Sequence, residues 1–496
     1  MAILGLTGFG HDASAAMISE EGEILFAGHA ERYSRVKNDG ELNWGLIEEA
    51  NLTVAGWDGP EIDRVVWYER PLLKKARYAL SGQWDEFHKS ASVRKLLRPF
   101  YLDECPISFV GHHESHAAGG YFTSGFYEAA VLVCDAIGEL DTISVWVGRG
   151  DHLRKVWSQG YPHSLGLLYS AFTQRIGLKP NEEEYILMGM AALGQPTLVE
   201  EIRRDFIEDV PAPHFRLKEN VHRGVRSWRP DLAPERFPDI AASIQYLAEE
   251  YLCEMARWIA DQTKLPNLVL AGGVALNCVA NTKIVETGAF EHVWIMPNPG
   301  DAGSAVGAVA AYLRKPLQWR TPYLGHKIDR TLDVRGAISC LLDGEVIGIA
   351  NGRAEFGPRA LGNRSLICDP RGPDVKDRVN RIKMREPFRP FAPIVLEHLA
   401  DRYFDMPVRR SPYMQFVARV KNPEAFPAIT HFDGTARVQT LSQDQNPVFY
   451  DLLARWHTIT GCPILLNTSL NIKGEPLVNT WEDAWRFSNT YGIKVF

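Results

Sequence analysis

Short apolar runs broken by polar, glycine-bearing turns set the rhythm of the first part of the chain. Residues 2–7 (AILGLT), 14–18 and 23–27 are separated by GFGHD and SEEGE, which predicts three short strands joined by tight turns. The same strand–turn–strand pattern recurs from residue 129, AAVLVCDAIGELDTISVWVG, again with an aspartate in the turn. Two such hairpins predict a duplicated α/β fold that handles a nucleotide. At 266–283, PNLVLAGGVALNCVANTK, an apolar run meets a double glycine and passes into a helix-like segment, which suits close approach of backbone to a phosphate or nucleoside.

The pattern changes between about 195 and 240, where proline and charge dominate and periodicity is lost. That tract predicts an irregular excursion or lid on the first domain. A second break, RKPLQWRTPYLGHKIDR at 314–330, predicts the connection between domains, giving a first domain over 1–325 and a second over 326–496. After it, EVIGIANGRAEFGPRALGNRSLICDP opens a new α/β unit. No solenoid-period repeat or low-complexity segment interrupts either half.

A length of 496 residues exceeds one ordinary core, so at least two domains are expected anyway. The net charge of −7, with basic residues scattered apart from short clusters at 202–204 and 379–389, argues against a nucleic-acid partner. No run approaches the roughly 20 apolar residues of a membrane span. The N-terminus reads as a buried strand, not a charged leader. Seven dispersed cysteines without a CxxC pair argue against a disulfide scaffold and a zinc ribbon. Together these predict a cytoplasmic protein.

The densest chemistry lies in FVGHHESHAAGGYF, residues 109–122. His112 and His116 are four apart and share a face of any helix, so two imidazoles reach one point. The string is not the HExxH zinc motif, because Ala117 stands where that motif needs its second histidine. Alone, the pair reads equally as buried, hydrogen-bonded helix histidines. Asp135 in CDAIGE and Asp301 in NPGDAGSAVG supply carboxylates that would complete a site for Fe(II), Mn(II) or Zn(II), if all four converge.

HDASAA at 11–16, HxxxH at 112–116, CDAIGE at 134–139, SLGLLYSAFTQRIG at 164–177, AGGVALN at 271–277 and GDAGSAVGA at 300–308 resemble the O-carbamoyltransferases of nodulation-factor and antibiotic biosynthesis. EFGPRALGNRS at 355–365, KMREPFRPFAP at 383–393, ARVQT at 436–440 and NTSLNIKGEP at 467–476 extend the likeness, in order, over nearly the whole chain. The resemblance implies an actin/sugar-kinase-like N-terminal domain akin to the tRNA threonylcarbamoylation ATPase. A smaller α/β domain that forms an adenylate would follow it. It further implies an enzyme that makes carbamoyl-adenylate from carbamoyl phosphate and ATP with Mg²⁺, then passes the carbamoyl group to a hydroxyl of a small-molecule acceptor.

Carried onto this sequence, the resemblance makes His112, His116, Asp135 and Asp301 ligands to Fe(II) or another divalent metal. His11 becomes the general base on the acceptor hydroxyl, suited by its near-neutral intrinsic pKa, with Asp12 orienting the ring or binding the acceptor. Lys383, Arg385 and Arg437 form a cradle for carbamoyl phosphate and triphosphate, with Ser469 and Asn471 bonding phosphate or carbamoyl oxygens. Lys37, Gly166, Tyr169, Gly272, Gly273 and Asn277 line the first-domain nucleotide or adenylate site. Arg359 and Arg364 either line a passage or fix the start of the second domain. Trp228, Phe215 and Tyr413 either stack on an acceptor or belong to the core.

Two positions depart from the family pattern. Ala136 follows the metal aspartate where relatives carry glycine, and Ile186 stands where they carry lysine, which weakens the expectation for the first-domain nucleotide contacts. Three rival enzymes and a non-enzymatic binding module are the alternatives; an inactive module would be recognised by lost ligands, and all four proposed ligands are present. A tRNA-modifying enzyme would need a positive face; hydrogenase-maturation carbamoyl transfer brings zinc-binding cysteine pairs absent here; and a small-molecule kinase leaves the KxR and SxN signatures of the second half without a use.

Overall fold

The computed structural model describes residues 2–54, 62–80, 83, 84, 87 and 92–496. The chain forms two compact units, Met1–Ser34 with Asn38–Trp319, and Arg35–Lys37 with Arg320–Phe496. The chain passes from one unit to the other at 319/320 rather than at 325/326. The strand expected inside the connection, Tyr323–Ile328, pairs with Gly352–Glu355 and so belongs to the second unit. Lys37, grouped above with the first domain, also lies in the second unit.

The first unit holds two five-stranded sheets. In one, β1 (Ala2–Thr7), β2 (Ser14–Ser19) and β3 (Ile24–His29) form an antiparallel meander. β4 (Ile62–Trp67) then joins parallel to β1, and β5 (Ile107–Phe109) parallel to β4. The other repeats this plan. β6 (Glu128–Cys134), β7 (Asp141–Arg149) and β8 (His152–Gly160) are antiparallel, while β9 (Asn267–Ala271) lies parallel to β6 and β10 (His292–Ile295) parallel to β9. The orders β3-β2-β1-β4-β5 and β8-β7-β6-β9-β10 are equivalent. The duplication expected from the two hairpins is therefore the architecture of the unit, an α/β fold built from two equivalent sheets. β1 and β6 are buried almost throughout, β1 against helix Ser304–Leu313 and β6 against helices His112–Thr123 and Phe237–Thr263, and their apolar runs show no alternation.

The tract at 195–240 carries helix Val199–Phe206 and then only short turns until helix Phe237–Thr263. Its aromatic residues are packed inside. Trp228 meets Phe172 edge-on at 5.2 Å and Phe215 lies 4.9 Å from Tyr251, while Tyr413, in the second unit, is also buried. None of the three is an exposed stacking platform. Ile186 is fully buried on helix Glu184–Ala191, so the change from the family's lysine serves the core.

In the second unit β11 (Tyr323–Ile328) pairs with β13 (Gly352–Glu355). β12 (Ile347–Ala350), β14 (Arg364–Cys368), β15 (Ala392–Leu396), β19 (Gln439–Leu441) and β20 (Ile464–Ser469) form the main sheet in the order β12-β14-β20-β15-β19. A three-stranded sheet of β16 (Phe404–Asp405), β17 (Val417–Val420) and β18 (Thr435–Arg437) completes it. Arg364 is wholly buried. Its guanidinium donates to the carbonyls of Asn479, Asn351, Gly352, Asn363 and His326 at 2.8–3.3 Å. Of the two roles open to it above, Arg364 fixes the fold. Among the described residues no helix is long and apolar enough to cross a membrane.

Candidate functional site

The duplicated topology decides which turns become neighbours. Where two strands run parallel and adjacent, the segments leaving their C-terminal ends emerge at the same edge of the sheet. In the first sheet these segments follow β1, β4 and β5 and carry His11, Tyr68–Glu69 and His112. In the second they follow β6, β9 and β10 and carry Asp135, Gly272–Gly273 and Asp301.

Helix His112–Thr123 begins three residues after β5. Glu114 accepts from the Gly111 amide at 3.2 Å and closes its first turn. His112 and His116 then point the same way. Asp301 precedes helix Ser304–Leu313, and the two helices cross at glycine. A Cβ on Gly307 would stand 2.0 Å from Ser115 O, so only glycine permits this approach. As a result Ser304 Oγ lies 3.3 Å from His116 Nδ1 and fixes the ring by its outer nitrogen.

Four ligand atoms converge. His112 Nε2 and His116 Nε2 are 3.2 Å apart, and each is 3.2 Å from Asp135 Oδ2. Asp301 Oδ1 lies 3.6 Å from His112 Nε2 and 3.3 Å from His116 Nε2. Nitrogen and oxygen ligands about 2.0–2.2 Å from one divalent ion stand roughly 3.0–3.6 Å apart, and the five separations given fall in that range, so the donor set fits a metal. Their electrostatics ask for a cation. Burial opposes charge on His116, yet its hydrogen bonds to Asp135 and Asp301 raise it to about 9. Burial likewise opposes ionisation of Asp135, and its bonds to both histidines still hold it well below the usual carboxylate range. His113 plays another part. Burial keeps it neutral, and its Nδ1 meets Ser144 Oγ at 2.7 Å, a hydroxyl that Trp146 Nε1 also reaches at 2.8 Å.

Asp135 is held from behind. Its Oδ1 accepts from the Ala136 amide at 2.8 Å, and Ser164 Oγ donates to Ala136 O at 2.6 Å. Gly166 packs on this turn, with room for no Cβ, since one would stand 2.7 Å from Asp135 O. Gly272 has a φ of 87° and lies against Cys134, while Gly273 opens toward Asp135 Oδ1. Asn277 caps helix Cys278–Glu286 and exchanges hydrogen bonds with Gln245, whose Oε1 also accepts from Tyr169 Oη at 2.8 Å. Tyr169, Gln245 and Asn277 are thus one connected wall. Gln245 sits inside a long amphipathic helix, where nothing in its neighbours' spacing distinguishes it.

His11 and Asp12 lie in the turn after β1. His11 Nδ1 is 2.8 Å from Asp12 Oδ2, and its Nε2 is buried without a partner. Burial opposes its charge, but the Asp12 hydrogen bond and the fields of Asp12, Asp301 and Glu182 raise it to about 9.

In the second unit, Lys383 ends helix Val375–Lys383, and its ammonium donates to Ser469 O, to Ser469 Oγ at 2.9 Å and to Asn471 Oδ1 at 2.6 Å. Asn471 Nδ2 in turn donates to Glu475 O at 2.6 Å. The KxR lysine and the SxN pair, more than eighty residues apart, form one cluster. Burial first, then the charges of Arg385, Arg389 and Lys37, hold Lys383 well below its usual range. Arg385 donates to Asn380 Oδ1 and Pro390 O and lies over the Phe391 ring at 3.9 Å, so its place is set by the fold. Arg437 ends β18.

Comparison with known proteins bears on both units. The family description "Carbamoyltransferase N-terminus" matches residues 85–310, and "Carbamoyltransferase C-terminus" matches 338–496. An uncharacterized Synechocystis protein is 37% identical over 98% of this chain and 93% of its own length. Nodulation protein NolNO of Sinorhizobium fredii is 33% identical, over 96% of this chain and 76% of that protein. Nodulation protein NolO of Bradyrhizobium diazoefficiens is 35% identical, over 76% and 75%. Among solved structures, a phosphate- and nucleotide-bound HypF is 12% identical with a TM-score of 0.36, covering 63% of this chain and 55% of that one. With both halves of the family matched in sequence order, and relatives above 30% identity along most of its length, this chain belongs to the carbamoyltransferase family and is a carbamoyltransferase enzyme.

Proposed function

We propose that the enzyme is an ATP-dependent O-carbamoyltransferase working through two half-reactions. The observation that carries this reading is the presence of two buried polar clusters of opposite demand, each on its own compact unit. One is a His₂Asp₂ set that fits a cation, and the other a lysine-centred set in a positive field that fits an anion. In the second unit, carbamoyl phosphate loses phosphate to water and leaves carbamate. A carbamate oxygen attacks the α-phosphorus of ATP, and Mg²⁺-bound pyrophosphate departs with the electron pair, giving carbamoyl-adenylate. Lys383, Ser469 and Asn471 would offset the charge that gathers on the phosphoryl oxygens, with Lys37, Arg385 and Arg437 drawing the anions in.

In the first unit, Gly272, Gly273 and the Tyr169–Gln245–Asn277 wall would receive the adenylate. The acceptor hydroxyl loses its proton to His11, its oxygen attacks the carbamoyl carbon, and AMP leaves. Asp12 orients the imidazole throughout. His112, His116, Asp135 and Asp301 would hold a divalent metal, taken as Fe(II), which when bound supplies positive charge against the developing oxyanion. The acceptor proposed is a small molecule of the natural-product kind, met in the cytoplasm.

Incubation with ATP, Mg²⁺ and carbamoyl phosphate tests the reading without an acceptor. Carbamoyl-adenylate and pyrophosphate are expected by mass spectrometry, and intact ATP in folded, metal-loaded protein would sink it. Because His11 titrates near 9, its base form is scarce at pH 7. Transfer should therefore rise by about tenfold per pH unit from 7 until it levels near that value. A flat profile would remove His11 from the role of base.

A further inference from the structure

Beside the turn that carries His11 lies a buried ion pair outside the reading above. β4 ends at Trp67, and Glu69 follows within two residues. Helix Pro71–Leu80 then begins, with proline at its first position, where no amide hydrogen is needed. Lys74 turns back from this helix. Its Nζ donates to Glu69 Oε1 at 2.7 Å and reaches Phe9 O at 3.4 Å. The Glu69 and Lys74 side chains are only 8% and 15% exposed. Desolvation largely cancels the attraction in such a pair, so stability alone is a poor reason for its presence.

The segment it grips gives a better one. Phe9 and Asp12 have φ of 61° and 53°, a left-handed backbone that side chains disfavour and that persists only when neighbours hold it. Behind the turn, Phe9 N donates to Gly40 O and Ala13 N to Asp39 O, both at 2.7 Å. In front, Lys74 Nζ holds Phe9 O while the Phe9 ring stacks on Trp67 at 5.6 Å. Gly10, His11 and Asp12 lie between these two clamps. Lys74 Nζ and Tyr68 Oη lie beside Gly10, at ordinary contact distances of 3.6 and 3.8 Å from where its Cβ would stand. Tyr68 then meets the His112 ring at 5.4 Å, so one strip of buried polar groups runs from the turn to the metal-type cluster.

We infer that the Glu69–Lys74 ion pair is a positioning device for His11, fixing the left-handed Phe9–Asp12 turn so that the imidazole stays paired with Asp12. Its consequence for transfer rests on the base role proposed for His11, whereas the positioning itself rests on geometry alone.

Ring titration by NMR tests it in ¹⁵N-labelled, chelator-treated full-length protein, with the His11 signal assigned by its loss in His11→Asn. The wild-type midpoint is expected near 9. In Lys74→Met the midpoint should fall toward the ordinary 6.5, because the Asp12 pairing is lost, and Lys74→Arg should restore it. The double variant E69Q/K74M leaves no unpaired buried charge and should behave like Lys74→Met, which covers failure of the single variant to fold. An unchanged midpoint in folded protein would show a role confined to stability. A rise would show only the loss of a nearby positive charge. Either result overturns the inference. Carbamoyl-adenylate formation, assayed in the wild type alongside, fails independently if the two half-reactions are wrong.

Discussion

At the end of β20 the Lys383 ammonium has each of its hydrogens directed at an oxygen of Ser469 or Asn471, whereas around His116 two imidazole nitrogens and two carboxylate oxygens crowd together with too few protons to go round. The first cluster is complete as it stands, and its meaning lies in the positive field around it. The second is incomplete, and a single divalent cation would satisfy all four members at once. Burial makes the contrast informative, since an unpaired polar group is tolerated in water but costly inside. On the proposed reading, one cluster serves an anion and the other a cation.

Removing a ligand should break the comparison most sharply. His116→Ala is expected to cut bound metal, measured by elemental analysis, to below about a tenth of wild type. Carbamoyl-adenylate formation should stay within roughly twofold. Joint loss of both would mean the two clusters are not separate devices. Lys383→Met should do the reverse, lowering adenylate formation on the order of 10²-fold with metal content unchanged. A smaller effect would reduce Lys383 to a spacer for Ser469 and Asn471.

Arg364→Leu addresses stability in the second unit. It removes the donor from the carbonyls of Asn479, Asn351, Gly352 and His326, while Asn363 O keeps the Asn351 amide, and should cost about 3 kcal/mol, read as a fall in that unit's unfolding midpoint. Glu386→Gln should have the smallest effect. Burial opposes charge on Glu386, but Lys473 and Arg389 hold it at about 2, below its ordinary 4.5. A depressed folded-state value contributes stability above 4.5 that is lost as pH falls through about 2. The side chain is 25% exposed and its partners lie at the surface, where solvent screens them, so the variant should lose under about 1 kcal/mol at pH 7 and progressively less in acid denaturant melts.

The legible parts of the molecule were those with local signatures. Strands β1, β2, β6 and β9 could be read from apolar runs that end at polar or glycine turns, and the duplication from their repetition. The i, i+4 spacing put His112 and His116 on one helical face. The four residues of the metal-type set could be named, but their convergence could not be read, because Asp135 and Asp301 reach it through parallel strand pairing and the Gly307 crossing, which act across long sequence separations. That Lys37 groups with the second unit was hidden for the same reason, since a three-residue segment so far from 320–496 in sequence leaves no local mark. Tyr68, Glu69, Lys74 and Gln245 were missed. The charged turn after the apolar run ending in Trp67 was a usable signal for the first three, while Gln245 looked like any other helix position.

By itself, then, the sequence determined the α/β class, the two-part organisation, the repeated strand–turn–strand units and which residue types could ligate or donate. These follow from period, turn chemistry and side-chain identity, all properties of a short window. Only the tertiary structure decided that four ligand atoms stand within 4.8 Å of one another, and that Lys383 meets Ser469 and Asn471. It alone put Arg364 to work on the backbone and set a buried ion pair against the His11 turn. Those outcomes depend on strand order and on backbone approach at glycine, which no local window contains.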